Sequence, residues 1–229
     1  MEPERITPPS SVQPDYNQAP VHIAPTLPTT PPKSSKHDGL RSILSTIAIL
    51  IAAPIIAIFL TTFVFQSYEV DGPSMETTLE NHDRLIVLKV PKTFAQLTNR
   101  EYIPKRNDII IFKTSAVQDG SLDDGSEKQL VKRVIGLPGD RVVVKNGSMT
   151  LFNTEHPEGF NPDTGQDHGD AVSVTPGDVD LEINEGEVFV CGDNRVNSLD
   201  SRSIGTIASK DIIGKLVMRI YPLDTVRKF

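Results

Sequence analysis

Hydrophobic and polar positions change pattern twice along this chain. Residues 1–39 hold few large apolar side chains among runs such as Pro8-Pro9, Thr29-Thr30-Pro31-Pro32 and Ser34-Ser35. Such a segment buries too little surface to offset the entropy of ordering, which predicts a disordered tail with polyproline character over residues 1–41. From Ser42 to Tyr68 no residue is charged, and Ile43–Phe65 exceeds the ~20 residues needed to cross ~30 Å of hydrocarbon. A membrane-spanning helix is therefore expected over residues 42–67, with Pro54 accommodated as a kink.

Beyond residue 68 the apolar residues fall in short β-rich runs separated by Gly, Pro, Asn and Asp. Strands are expected at Arg84–Val90, Asp108–Lys113, Leu130–Ile135, Gly186–Cys191 and, once or twice, within Asp211–Tyr221. Arg141–Lys145 and Ser148–Phe152 flank Asn146-Gly147, the strongest hairpin signal in the chain. Residues 153–180 are rich in Pro, Gly and Asp and read as an excursion within a small subdomain of about residues 146–186. The fold class expected is mainly β: one N-terminal transmembrane helix, then an all-β domain over residues 68–229.

Charge sets the orientation of the span. Lys33, Lys36 and Arg41 flank its N-terminal end and Glu69 and Asp71 the other, so the positive-inside rule leaves the tail in the cytoplasm and exports the β domain. The span is too long, and too far from the N-terminus, for a cleavable signal peptide, which reads as a signal anchor in the cell membrane. A formal net charge of −7 without a basic patch argues against nucleic acid as a partner. The single Cys191 excludes an intramolecular disulfide framework and a cysteine-based zinc cage. It ends the apolar run Val188–Cys191 and reads as a buried small residue rather than a nucleophile.

The candidate chemistry begins at Tyr68–Met75, where Ser74 follows Gly72-Pro73 within roughly 30 Å of extended chain from Phe65. A serine beside Gly and Pro is ordinarily a turn residue, but one held against a bilayer could act on a membrane-bound substrate. A nucleophilic serine needs a base. His22 and His37 belong to the tail, while His82, His156 and His168 stand in polar, turn-rich contexts that read as solvated loops. A Ser-Lys dyad is the alternative to a triad. On a strand Leu130, Lys132 and Val134 share one face, so Lys132 is a candidate for burial, with Lys89 a second possibility. Desolvation could lower a buried lysine by up to roughly 3–5 pH units, leaving a neutral amine to accept the serine proton. The polar loop Gly192–Arg202 follows an apolar strand directly; Ser198 could orient a lysine amine, and Asp200 with Arg202 could brace the loop as an ion pair.

Together, Gly72-Pro73-Ser74-Met75, Arg106–Ile109, Lys132–Asp140 and Gly192–Arg202 resemble the bacterial type I signal peptidase (leader peptidase) family. The resemblance covers roughly residues 43–222. It implies Ser74 as nucleophile, Lys132 as general base, Ser198 hydrogen-bonded to the lysine, and Asp200 and Arg202 as supports. It also implies that Val70 and Val131 line shallow pockets for small side chains, and that the Ser74 N–H serves an oxyanion hole. Some members add a serine hydroxyl where this chain has Gly72. Thr77 and Asn107 stand where the family usually has Pro and Gly. The implied activity is a membrane-bound serine endopeptidase that removes signal peptides, at Ala-x-Ala-like sites, from exported preproteins. Membrane lipids and the export machinery are its implied surroundings, and neither metal nor cofactor is needed. A non-catalytic anchored β-domain and a conjugation-type peptidase are the alternatives.

Overall fold

The computed structural model describes residues 36–98, 100–115, 127–168 and 172–229. The expected tail over residues 1–35 lies outside them. Helix α1 (Lys36–Phe59) begins earlier than the sequence reading has it, so residues 36–41, assigned to the tail, are helical. It continues as a single π-helical turn, Leu60–Val64. Arg41–Val64, with a mean hydropathy of 2.8 over its most apolar window, is the one helix among the described residues long and apolar enough to cross a membrane. Strand geometry starts at Phe65, so Phe65, Gln66 and Ser67, assigned to the span, already belong to strand β1 (Phe65–Glu69).

The remaining strands are β2 (Arg84–Leu88), β3 (Ile109–Thr114), β4 (Lys128–Gly136), β5 (Arg141–Lys145), β6 (Ser148–Phe152), β7 (Val179–Glu182), β8 (Glu187–Cys191), β9 (Ile207–Ala208), β10 (Ile212–Tyr221) and β11 (Arg227–Lys228). The larger sheet runs β1-β2-β10-β3-β4-β8-β9, with β11 beside β10, and the smaller runs β6-β5-β7. Neighbours in both sheets pair antiparallel. The Asn146-Gly147 hairpin forms in the expected register, with φ of 54° and 78° at its two turn residues. The run read as Arg84–Val90 stops at Leu88; Val90–Leu97 is helix α2, with Pro91 in its first turn.

Central strand β3 opens on an unbroken apolar run, Ile109–Phe112, because both its faces are covered, while β4 interrupts its apolar residues with Lys132 and Arg133. On one face Ile110, Phe112 and Val134 pack with Val188, Val190 and Ile212, and Leu130 borders them. On the other, Ile109 joins Val70, Met75, Leu79, Leu85 and Leu216, with Val131 at the edge. The β5–β6 hairpin closes a third cluster against Ile135 and Phe189. Lys132 lies in register opposite Ile110, on the face between Leu130 and Val134.

Candidate active site

Ser74 sits in the connection between β1 and β2, which the core holds from both sides. Met75 and Leu79 are fully buried, and one helical turn closes on them through Thr78 N–H and Leu79 N–H donating to the Met75 carbonyl at 2.9 Å. Gly72 takes φ +95°, a conformation that disfavours a side chain, and its N–H donates to Asn81 Oδ1 at 2.9 Å. Among the described residues nothing accepts a hydrogen bond from the Ser74 N–H.

Lys132 reaches this serine from β4. Its Nζ stands 2.7 Å from Ser74 Oγ and donates to the Val131 carbonyl at 3.0 Å. The residue is only 2% exposed. Burial lowers the amine from its ordinary 10.5 to about 8, against the opposing pull of Asp200 and Asp193. At pH 7.4 that leaves roughly a fifth of the molecules with a neutral amine, against about one in a thousand for a solvated lysine. An uncharged amine at this distance can accept a hydroxyl proton, which is what nucleophilic catalysis requires of a base.

A cavity of about 310 Å³ opens over the pair, lined by Asp71, Pro73, Leu130, Asn197 and Leu199 among others. A second of about 100 Å³ shares Ser74 and Lys132 with it and is walled by Val70, Val131, Leu85 and Ile111. Small apolar side chains fit such a hollow.

The loop after β8 closes the site. Asn194 N–H donates to the Ser74 carbonyl at 3.1 Å and its Nδ2 to the Pro73 carbonyl at 3.2 Å, so this loop fixes the backbone of the serine. Gly192 is required there by proximity: a Cβ would lie 2.3 Å from both Ser74 O and Ser198 Oγ. Asp200 is wholly buried, accepts from Gly192 N–H at 3.0 Å, and holds Arg202 through Nε and Nη2 at 2.8 Å each. The loop is thus braced by the ion pair expected of Asp200 and Arg202.

The family model described as signal peptidase, peptidase S26, matches residues 43–221. A signal peptidase I P of Bacillus subtilis subsp. natto is 33% identical over 190 residues, covering 81% of this chain and 93% of that protein. A signal peptidase I of Bacillus licheniformis is 32% identical, covering 82% and 94%. This chain belongs to the type I signal peptidase family. It is a serine endopeptidase. A solved signal peptidase I from Enterococcus faecalis V583 is also similar, at 24% identity and TM-score 0.35, covering 50% of this chain and 97% of that one.

In this chain the other sequence candidates separate cleanly. Lys89 binds Gln66 Oε1 at 3.3 Å instead of reaching Ser74. Cys191 is fully buried, and burial pushes its thiol far above the usual range, so it is inert packing as expected. His82 and His156 are exposed, as read, with His82 beside Glu69 at 3.0 Å. His168 is a correction. It is 3% exposed and its Nε2 lies 3.2 Å from Asp163 Oδ1, because Asp163 supplies a buried partner that no local pattern announces. Ser198 corrects a second expectation: its Oγ is buried with no hydrogen-bond partner among the described residues, and the Lys132 amine bonds Ser74 and Val131 instead.

Several positioning groups escaped the sequence reading. Arg133 spans Asp193 Oδ1 and Oδ2 at 2.8 and 2.6 Å in a buried bidentate pair and also donates to the Asn107 carbonyl at 3.0 Å. Asn107 takes φ +70°, a left-handed conformation that Asn tolerates, so it replaces the family's usual Gly at little strain. Arg195 donates to Asp163 at 2.5 and 2.8 Å and to the Gly192 carbonyl at 3.0 Å, which ties the excursion to the serine loop. The signal for Arg133 and Arg195 was their place inside the motifs; Asp163 gave none.

Proposed function

We propose that the chain removes N-terminal signal peptides from exported preproteins through a Ser74–Lys132 dyad. What supports this reading most is the 2.7 Å separation of Oγ from the amine of a lysine buried on an apolar strand face. Neutral Lys132 takes the Ser74 proton as Oγ attacks the scissile carbonyl. The tetrahedral oxyanion meets the Ser74 N–H, and Lys132 passes its proton to the leaving amine, giving an acyl-enzyme. Lys132, neutral again, then activates water for deacylation. Substrate binds extended along β4 and the residues after β1, its backbone giving affinity and the hollow beside Val70 and Val131 selecting small side chains. Asp200 and Arg202 hold the loop that holds the serine, and Ser198 stands beside it as a hydroxyl free to pair when substrate is bound.

The same reading places a cytoplasmic tail before the span, anchors the enzyme in the cell membrane through Arg41–Val64, and sets residues 68–229 outside the cytoplasm among lipids and exported chains. It is tested with the full chain in detergent micelles and a preprotein substrate. Wild-type enzyme is expected to release the mature protein at a site with small residues, while Ser74→Ala and Lys132→Ala lose cleavage by several orders of magnitude. Near-normal processing by Lys132→Ala refutes the dyad. No processing by the wild type favours the non-catalytic reading.

A further inference from the structure

Helix α2 is amphipathic in the opposite sense to a globular surface helix. At 100° per residue Val90, Phe94 and Leu97 fall within about 60° of one another, and a helix of a soluble domain turns such a stripe inward. Here the stripe is outside: Val90 is 41% exposed, Phe94 66% and Leu97 80%, while the small Ala95 is the residue buried against the body. The polar residues Lys92, Thr93 and Gln96 lie off the stripe, and Lys92 fastens the helix by donating to the Lys210 carbonyl at 2.9 Å.

The position of this stripe says what covers it. Lys89 N–H, at the start of α2, donates to the Val64 carbonyl at 2.8 Å, and Thr93 Oγ1 donates to the Phe63 carbonyl at 3.4 Å. Those two carbonyls end the apolar span, and Phe63 and Phe65 beside them are 47% and 42% exposed. The first turn of α2 is therefore held at the depth where the chain leaves hydrocarbon. We propose that α2 lies in the lipid interface and docks the catalytic domain on the bilayer through Val90, Phe94 and Leu97. The occupant is lipid: the apolar face enters the boundary of headgroups and acyl chains by about 5–10 Å, as interfacial helices do. This gives the domain a second membrane contact besides its covalent tether, and so a fixed attitude towards substrates that reach it from the bilayer. The inference rests on reading Arg41–Val64 as a membrane span.

The chain contains no tryptophan, so a single introduced indole reports one site without background. The full chain is reconstituted in phosphatidylcholine–phosphatidylglycerol vesicles carrying bromine either near the carbonyl end of the acyl chain or at mid-chain. Phe94→Trp and Leu97→Trp are expected to emit to the blue of a solvated indole and to be quenched more by the shallow bromine than by the deep one. Gln96→Trp, on the other side of α2, is expected to stay solvated and unquenched. Leu50→Trp, within the span, is expected to be quenched most by mid-chain bromine. Retained cleavage activity shows that each variant folds, since neither α2 nor Leu50 belongs to the catalytic machinery.

A solvated, unquenched indole in Phe94→Trp and Leu97→Trp beside a quenched one in Leu50→Trp overturns the docking alone. An unquenched Leu50→Trp overturns the span reading and the docking with it. Blue-shifted emission that bromine does not quench also overturns the proposal: the stripe is then covered by protein, and a dependence on protein-to-lipid ratio marks a second copy of the chain. Equal quenching in Gln96→Trp and Phe94→Trp removes the oriented face on which the proposal depends.

Discussion

Replacing Lys132 by methionine should abolish cleavage and yet stabilise the fold near neutral pH. Methionine keeps the length of the side chain and removes the amine that burial penalises. In the folded protein that amine titrates near about 8 instead of its ordinary 10.5. At about 1.4 kcal/mol per pH unit, the interval is worth about 3 kcal/mol. The sign follows from proton counts. Between these two values the unfolded chain binds more protons than the folded one, so wild-type stability rises with pH across that window, and the full penalty stands below the folded value. Lys132→Met carries no such pH dependence. Its stability advantage over wild type should therefore narrow by roughly 2–3 kcal/mol between about pH 7 and pH 10. In a domain of this size each kcal/mol moves the melting temperature by about 2–4 °C, so the narrowing reads as roughly 4–12 °C. The assay is unfolding of the full chain in micelles followed by circular dichroism at each pH, wild type against variant. Only the difference is used, which cancels the titration of tyrosines and other lysines. A difference that stays constant with pH refutes the desolvated amine.

Gly192→Ala should cut kcat by about 10²-fold or more, because its Cβ displaces the Ser74 carbonyl and a misplacement near 1 Å has that cost; steady-state kinetics on a signal-peptide substrate measure it. Asp163→Asn should cost about 3–5 kcal/mol of stability in denaturant unfolding, since it leaves Arg195 buried and without its carboxylate. Hydrogen bonds from His168 and Arg195 outweigh burial and hold the Asp163 carboxyl below its ordinary value, so this support is expected to fade as pH falls through the acid range. Ser198→Ala removes a buried, unpaired hydroxyl and should leave the ligand-free enzyme as stable or up to about 1 kcal/mol more stable in thermal unfolding.

The long apolar helix, the central strands and the hairpin were legible because each is a local property: an uncharged run, an apolar run, an Asn-Gly pair. Lys132 was legible only as a candidate for burial, because strand alternation puts it between Leu130 and Val134. The motif resemblance, not the pattern, singled it out from Lys89. Helix α2 was not legible, since Val90 continues the apolar run of β2 and the turn is made by contacts with Val64 and Phe63 that lie far back in the chain. Nor was the role of the excursion. Asp163, His168 and Arg195 meet only when the smaller sheet folds over the end of β8, and the segment carrying Asp163 looks like any polar loop. The hydrogen bond expected between Ser198 and Lys132 failed for a related reason: one short loop leaves the hydroxyl beside Gly192, a matter of ångströms that no spacing encodes.

The account turns on the charge state of one amine. A direct measurement is the NMR titration of the Lys132 side chain in the full-length, active protein in micelles, with Lys132→Met to assign the signal. The account predicts a midpoint of about 8, matched by the pH at which cleavage activity rises. A midpoint at the ordinary 10.5, in protein that still cleaves, would contradict it.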